Sequence, residues 1–240
     1  YWPILITTNS AGRCKATPTS MCTSPLSILA CGLLSASTLT KYASEGVAPR
    51  RPPCDQKLVK KELGQVRIVI NGAGAAGTAI ARLLVLAGAN EVIGFDSHGV
   101  INAKRSADNE MRRWFIENCN KSQFEGTLSD AMKGADIFIG VSAPNVLTED
   151  DVASMNPNAI VFALANPDPE IDPALARKHA VVVATGRSDQ PNQINNVLAF
   201  PGIFRGLLDA GASKITDELL VACANAIASC VSDSQLNPSF

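Results

Sequence analysis

Val66-Arg67-Ile68-Val69-Ile70-Asn71-Gly72-Ala73-Gly74-Ala75-Ala76-Gly77-Thr78-Ala79-Ile80 sets the architecture of the chain. A short run rich in β-branched residues meets a glycine-rich turn, and an apolar helical pattern comes directly after it. Strand, tight turn and helix in that order form the setting in which a dinucleotide fingerprint has physical meaning. Gly72 suits the turn, and Gly74 lets backbone approach a pyrophosphate with no Cβ in between. Gly77 allows the helix to lie close on the strand. From Ala75 and Ala76 onward the helix offers free N–H groups and a positive dipole end to phosphate oxygens.

The next strand extends the pattern. Val92-Ile93-Gly94-Phe95-Asp96 ends on an acid about 20 residues past the glycines, where a carboxylate can hold ribose hydroxyls. An acid there also repels the 2′-phosphate of NADP. Asp96 is succeeded by Ser97 and His98 rather than by arginine, so NAD is favoured over NADP, with Lys104 and Arg105 the cations that could fold back.

Composition bounds what else the chain can be. Of 240 residues, 46% are hydrophobic and 18% charged, which suits a buried-sheet α/β protein and not a disordered one. A net charge of −1 gives no electrostatic reason to expect nucleic acid or an anionic membrane as partner. No apolar run approaches the roughly 18 residues that span a bilayer. The seven cysteines show no Cys-x-x-Cys spacing, so reduced thiols and a cytoplasmic location are the expectation.

Residues 1–57 differ from the rest: rich in Ser, Thr, Pro and Cys, poor in acids, without lasting periodicity. Three readings stand: a targeting peptide (which would make the protein mitochondrial), an irregular segment, or a stretch foreign to the domain behind it. The Pro-rich Ala48-Pro49-Arg50-Arg51-Pro52-Pro53 ends this segment, and a single domain is expected over 58–240. There helices are expected near 75–86, 106–117, 127–133, 203–209 and 216–230, with Thr148 and Asp172 capping two more. Strands are expected near 66–70, 92–96, 136–141, 159–164 and 180–184. Continuous apolar strands alternating with helices predict an α/β fold, a doubly wound, Rossmann-like parallel sheet with C-terminal helices. In such sheets ligands lie outside the carboxyl ends of the strands. Gly72–Gly77, Asp96, Ser142–Asn145, Asn166–Glu170 and 186–196 all fall there.

Several of these segments resemble one family. Asn71–Gly77, Gly140-Val141-Ser142-Ala143-Pro144, Phe162-Ala163-Leu164-Ala165-Asn166-Pro167, Gly186-Arg187-Ser188-Asp189 and Pro191-Asn192-Gln193-Ile194-Asn195-Asn196-Val197-Leu198-Ala199-Phe200-Pro201-Gly202-Ile203-Phe204 look like the cofactor domain of malic enzymes, most of all the smaller bacterial type. The resemblance implies NAD(P)-dependent oxidative decarboxylation of L-malate to pyruvate and CO2, a divalent Mg or Mn ion, and a homo-oligomer for the intact enzyme. It implies that Ser142 and Ala143 line the cofactor channel. By the same resemblance Asn166, Asn195 and Asn196 contact substrate or nicotinamide. Arg187 and Asp189 read as a pair shaping a loop. Of the two histidines, His98 could touch the adenosine and His179 reads as a solvated helix end.

The chain also departs from that family. The general acid/base lysine, the tyrosine and the acidic metal ligands come from upstream of the cofactor domain, and none has a matching position here. Where malic enzymes place a His-Asp-Asp-Gln-like segment after Pro-Ile-(Phe/Leu), Pro3-Ile4-Leu5 runs into Ile6-Thr7-Thr8-Asn9. Residues 6 to about 57 therefore read as an out-of-frame or unspliced stretch, which the underlying nucleotide sequence would reveal. The expectation is no catalytic residue and no metal ligand in this chain, and an incomplete enzyme, inactive alone. The alternatives are a non-catalytic dinucleotide-binding module and another Rossmann-fold dehydrogenase.

Overall fold

A computed structural model describes residue 59 and residues 61–230; the readings made of residues 1–57 lie outside the described residues. Six strands form one sheet: β1 (Arg67–Asn71), β2 (Glu91–Asp96), β3 (Gly99–Val100), β4 (Ile137–Gly140), β5 (Ile160–Ala163) and β6 (Val182–Thr185). Their order across the sheet is β3-β2-β1-β4-β5-β6. Five strands run parallel, with β1 central, pairing β2 through Ile68↔Val92 and β4 through Val69↔Phe138. The strand order therefore reverses beside β1, which opens a crevice at its carboxyl end.

The expected doubly wound parallel sheet forms, with one short edge strand added. β3 turns back antiparallel on β2, pairing Phe95 with Val100 and Asp96 with Gly99. Two residues are too short to show any periodicity, so the pattern could not reveal them.

Period-two alternation then sends neighbouring residues to opposite faces. Ile68, Ile70, Val92, Ile137, Ile139, Ile160 and Phe162 pack on one side with Ile80 and Leu84 of α1 (Ala75–Leu86) and Phe115 of α2 (Glu110–Asn118). Val69, Ile93, Phe138, Val161 and Val183 pack on the other with Met132 of α3 (Leu128–Met132), Val152 of α4 (Glu149–Ala153) and Ala176 of α5 (Pro173–Ala176). Covering both faces is what makes β4, β5 and β6 buried at every position. Phe115, Phe138 and Phe162 are among the largest wholly buried side chains, and truncating any to Ala should cost about 3–5 kcal/mol.

Local chemistry sets the helix ends. Thr127 and Thr148 each cap a helix and form a capping box with Asp130 and Asp151. Asp172 caps α5, where Pro173 opens the helix. α2 begins four residues later than 106, because Asn109 accepts a bond from the Arg112 N–H and so fixes the start. Two C-terminal helices complete the domain, α6 (Phe200–Asp209) and α7 (Asp217–Ser229), the latter laying Leu220 and Ala224 on Leu83 of α1. Among the described residues no helix is long and apolar enough to cross a membrane.

Candidate functional site

The glycine loop after β1 is built by close approach. Gly72 adopts φ +106°, and a Cβ there would lie 2.6 Å from the Val141 carbonyl oxygen. The N–H groups of Gly72 and Ala73 both donate to the Phe95 carbonyl, at 2.9 and 2.8 Å, which ties the loop to the end of β2. A Cβ on Gly77 would come within 2.4 Å of the Gly72 carbonyl oxygen and 3.2 Å of Ile70 Cγ2, so α1 lies close on the end of β1 and its loop. Gly74, by contrast, faces open space within 4 Å. No side chain caps the first turn of α1, so its leading N–H groups, beginning with Ala75 and Ala76, remain available to an anion.

From this loop, hydrogen bonds run along the whole carboxyl edge. Asn71 Nδ2 donates to Ser142 Oγ at 2.8 Å and so joins the ends of β1 and β4. Glu170, wholly buried, joins β4 to β5. Its Oε1 accepts from the Ser142 N–H and its Oε2 from the Ala165 N–H, both at 3.0 Å. Burial pushes the Glu170 carboxyl above the ordinary carboxylate range, and these N–H bonds offset only part of that rise. Room for this side chain exists because position 140 is glycine: a Cβ there would lie 2.3 Å from Glu170 Cδ. Asn166, next in the chain, is exposed on the rim ahead of a cis bond to Pro167.

The segment after β6 closes the edge. Arg187 Nη1 reaches the Pro167 carbonyl at 3.4 Å, and its guanidinium forks onto Asp189 with two bonds of 2.8 Å. The expected pair forms within one loop, and Arg187 also reaches the loop that carries Pro167. Ile194 N–H returns to the Thr185 carbonyl at 2.8 Å, which places Asn195 and Asn196, both half-buried, beside the end of β6. Asn196 then opens a single 3-10 turn, Asn196–Leu198, that leads into α6.

At the other end lies Asp96, whose carboxylate is surrounded by donors. His98 N–H donates to Oδ1 at 2.8 Å, Arg105 Nη2 to Oδ2 at 3.0 Å, and Arg112 Nη2 to Oδ2 at 2.9 Å. Burial acts to raise the Asp96 pKa, but the His98 N–H and the two guanidiniums outweigh it and hold the carboxyl below its usual range. Of the two cations expected to fold back, Arg105 does. Lys104 pairs with Glu125.

The structure thus brings Gly72–Gly77, Asp96, Ser142, Ala143, Asn166, Asn195 and Asn196 to one edge of one sheet. His98 is exposed beside Asp96. His179 contacts Glu149 at 3.1 Å on the periphery, where it is not simply solvated. Three contributors went unassigned in the sequence: Arg112, the Asn71 side chain and Glu170. Asn71 and Glu170 lay inside quoted motifs, but nothing marked their partners. Arg112 is separated from Asp96 by a loop whose path no local pattern encodes. Among the described residues no three His, Cys, Asp or Glu side chains gather as a metal-binding group.

Comparison with known proteins adds the family. The sequence model "Malic enzyme, NAD binding domain" matches residues 54–239. The NAD-dependent malic enzyme of Geobacillus stearothermophilus is 49% identical over 184 residues, covering 77% of this chain and 38% of the relative. The NADP-dependent malic enzyme of Halomonas elongata is 46% identical over 171 residues, covering 70% and 40%. Among solved structures, the NAD-dependent malic enzyme of Thermotoga maritima superimposes with a TM-score of 0.76 at 38% identity, covering 88% of this chain and 52% of that one. The chain spans less than half the length of these two curated relatives.

Proposed function

Because the chain belongs to the malic enzyme family, carrying its NAD-binding domain, we propose that its rim of strand ends seats a nicotinamide dinucleotide for oxidative decarboxylation of L-malate to pyruvate and CO2. One observation carries the reading. The glycine loop, Asp96, Ser142, Asn166 and the Asn195–Asn196 pair lie along the carboxyl edge of one sheet whose strand order reverses beside β1.

In this reading the pyrophosphate lies over Gly72 and Gly74, and the first N–H groups of α1 at Ala75, Ala76 and Gly77 face its oxygens. The adenosine ribose lies beside Asp96. Ser142 and Ala143 line the channel leading to Asn166, and Asn166, Asn195 and Asn196 orient a carboxamide or carboxylate. An amide does this without placing a charge beside a hydride transfer. The bound dinucleotide supplies the hydride acceptor. NAD is our preferred cofactor on the strength of Asp96, although the relatives include NAD- and NADP-dependent enzymes.

The described residues do not fit a Mg or Mn site, so no step is assigned to a metal on this chain. We place the acid/base lysine, the tyrosine and the metal ligands outside residues 61–230, and infer that this chain by itself does not turn over malate. A domain beginning near residue 58, a cytoplasmic location and assembly as a homo-oligomer in the intact enzyme belong to the same proposal.

The test is NAD binding by calorimetry alongside malate oxidation with and without Mn²⁺. Binding without turnover is the expected result. Turnover by this chain alone overturns its inactivity, and absence of nucleotide binding overturns the whole reading. A non-catalytic binding module is the second reading, and it too predicts nucleotide binding. Adding a polypeptide that supplies the lysine and metal ligands separates the two, since only an enzyme domain then turns over malate.

A further inference from the structure

The hydrogen-bond ladder between β4 and β5 ends where the Leu164 N–H donates to the Gly140 carbonyl at 3.0 Å. Past that bond the two chains enter the loops that carry Ser142 and Asn166, whose side chains are exposed on the rim. Glu170 takes over there. Its oxygens accept from the Ser142 and Ala165 N–H groups. The backbone beside it continues the lacing: the Leu147 N–H donates to the Glu170 carbonyl at 3.0 Å, and the Asn145 N–H to the Pro169 carbonyl at 3.1 Å. Residues 142–147 are thereby held against Pro169 and Glu170, while Ala165, directly before Asn166, is fixed by the same carboxylate.

The residue type is specific to this task. An ionised carboxylate has two acceptor oxygens and no donor, so it receives two N–H groups from separate loops at once. An amide would turn a donor against one of them, and a hydroxyl has a single oxygen. For filling space alone, an apolar side chain would avoid the desolvation that a buried carboxylate suffers. Here the fold instead clears room for the acid, since a Cβ at Gly140 would lie 2.3 Å from its Cδ.

We propose that Glu170 is a positioning residue for the nicotinamide half of the cofactor: it sets the gap between Ser142 and Asn166 in which the ring is held for hydride transfer. This rests on the dinucleotide reading of the rim and goes beyond it by separating the two halves of the site. Glu170 touches no reacting atom and acts through the loops it ties. The adenosine half is anchored by other bonds. The Gly72 and Ala73 N–H groups hold the glycine loop to the Phe95 carbonyl, and His98, Arg105 and Arg112 hold Asp96. Loss of the Glu170 carboxylate therefore loosens one half and leaves the other in place. A misplacement of about 1 Å costs on the order of 100-fold in rate, so even a small shift of these loops matters to hydride transfer.

The test is a pair of titrations on this chain, with Glu170→Gln and Glu170→Leu beside the parent. ADP-ribose, which lacks the nicotinamide, reports the adenosine half by calorimetry. NADH reports the other half through the fluorescence of its reduced ring. In the parent, NADH emission should rise on binding. In Glu170→Leu that rise should be lost and NADH affinity should fall by about tenfold or more, with ADP-ribose affinity changed by less than about threefold. Glu170→Gln keeps one acceptor oxygen and should fall between the two; if the Leu variant fails to fold, the Gln variant decides the question. Equal losses for NADH and ADP-ribose would make Glu170 a general structural tie and overturn the inference. So would parent-like NADH emission in the variants, or emission that does not change when NADH binds the parent. If the parent binds neither ligand, it is the dinucleotide reading that fails.

Discussion

Asp96 at the end of β2 and Glu170 beyond β5 are two carboxylates on opposite sides of β1 along one rim, and they are held by opposite means. Asp96, 13% exposed, is matched by two cations that share its charge. Glu170 is wholly buried, and the bonds that hold it come from backbone N–H groups. Burial opposes ionisation at both, but the guanidiniums reverse the balance at Asp96 and nothing reverses it at Glu170. One end of the rim is therefore an electrostatic device open to a ligand. The other is a structural tie that fixes the loops carrying Ser142 and Asn166.

The largest expected effect comes from removing the tie. Glu170→Leu leaves the Ser142 and Ala165 N–H groups without their acceptor, at about 1–3 kcal/mol each, so about 2–6 kcal/mol in all by denaturant unfolding. Nucleotide affinity should fall with it, because both loops lose their anchor. A variant as stable as the parent would remove Glu170 from this role.

Asp96→Asn should cost less, about 1–3 kcal/mol, since the site is part-exposed and its arginines keep other partners. The two ends also respond to pH with opposite sign. A carboxyl whose folded pKa is depressed stabilises above the ordinary Asp value near ~3.9, and that contribution disappears as pH falls through the folded pKa. For Glu170, raised above the ordinary ~4.3, folding is favoured below that value and loses ground as pH climbs through the raised pKa. Unfolding curves taken from about pH 3 to about pH 8 on the parent, Asp96→Asn and Glu170→Gln should therefore diverge in opposite directions. Parallel curves would mean that the two carboxyls are alike.

The smallest effect is expected at Arg187→Ala, on the Glu170 side of the rim. Its fork onto Asp189 lies in solvent, and its reach to the Pro167 carbonyl is long at 3.4 Å, so the melting temperature should not move measurably. A clear drop would make the Arg187 bridge a second tie alongside Glu170.

How much of this was readable from residue order depends on range. The β1–glycine–α1 unit, the Thr127, Thr148 and Asp172 caps, and the apolar strands arise from contacts a few residues apart, where steric limits on φ/ψ and side-chain periodicity act directly. The placing of Asp96 near Gly72 was also legible, because parallel β1 and β2 with a helix between them leave one arrangement of their ends. Against this, the two-residue β3 was too short to read, and the 106–117 helix began four residues late because of a single capping asparagine.

What residue order left open is who meets whom across loops. The donor sets around Asp96 and Glu170 join residues separated by up to 28 positions, through turns whose course depends on how the helices cover the sheet. Charge and hydrogen-bond partners act through space and not along the chain. An acid at the end of β2 could thus be read as a ribose ligand from its position alone, while the two arginines that occupy it became visible only once the chain had closed around them.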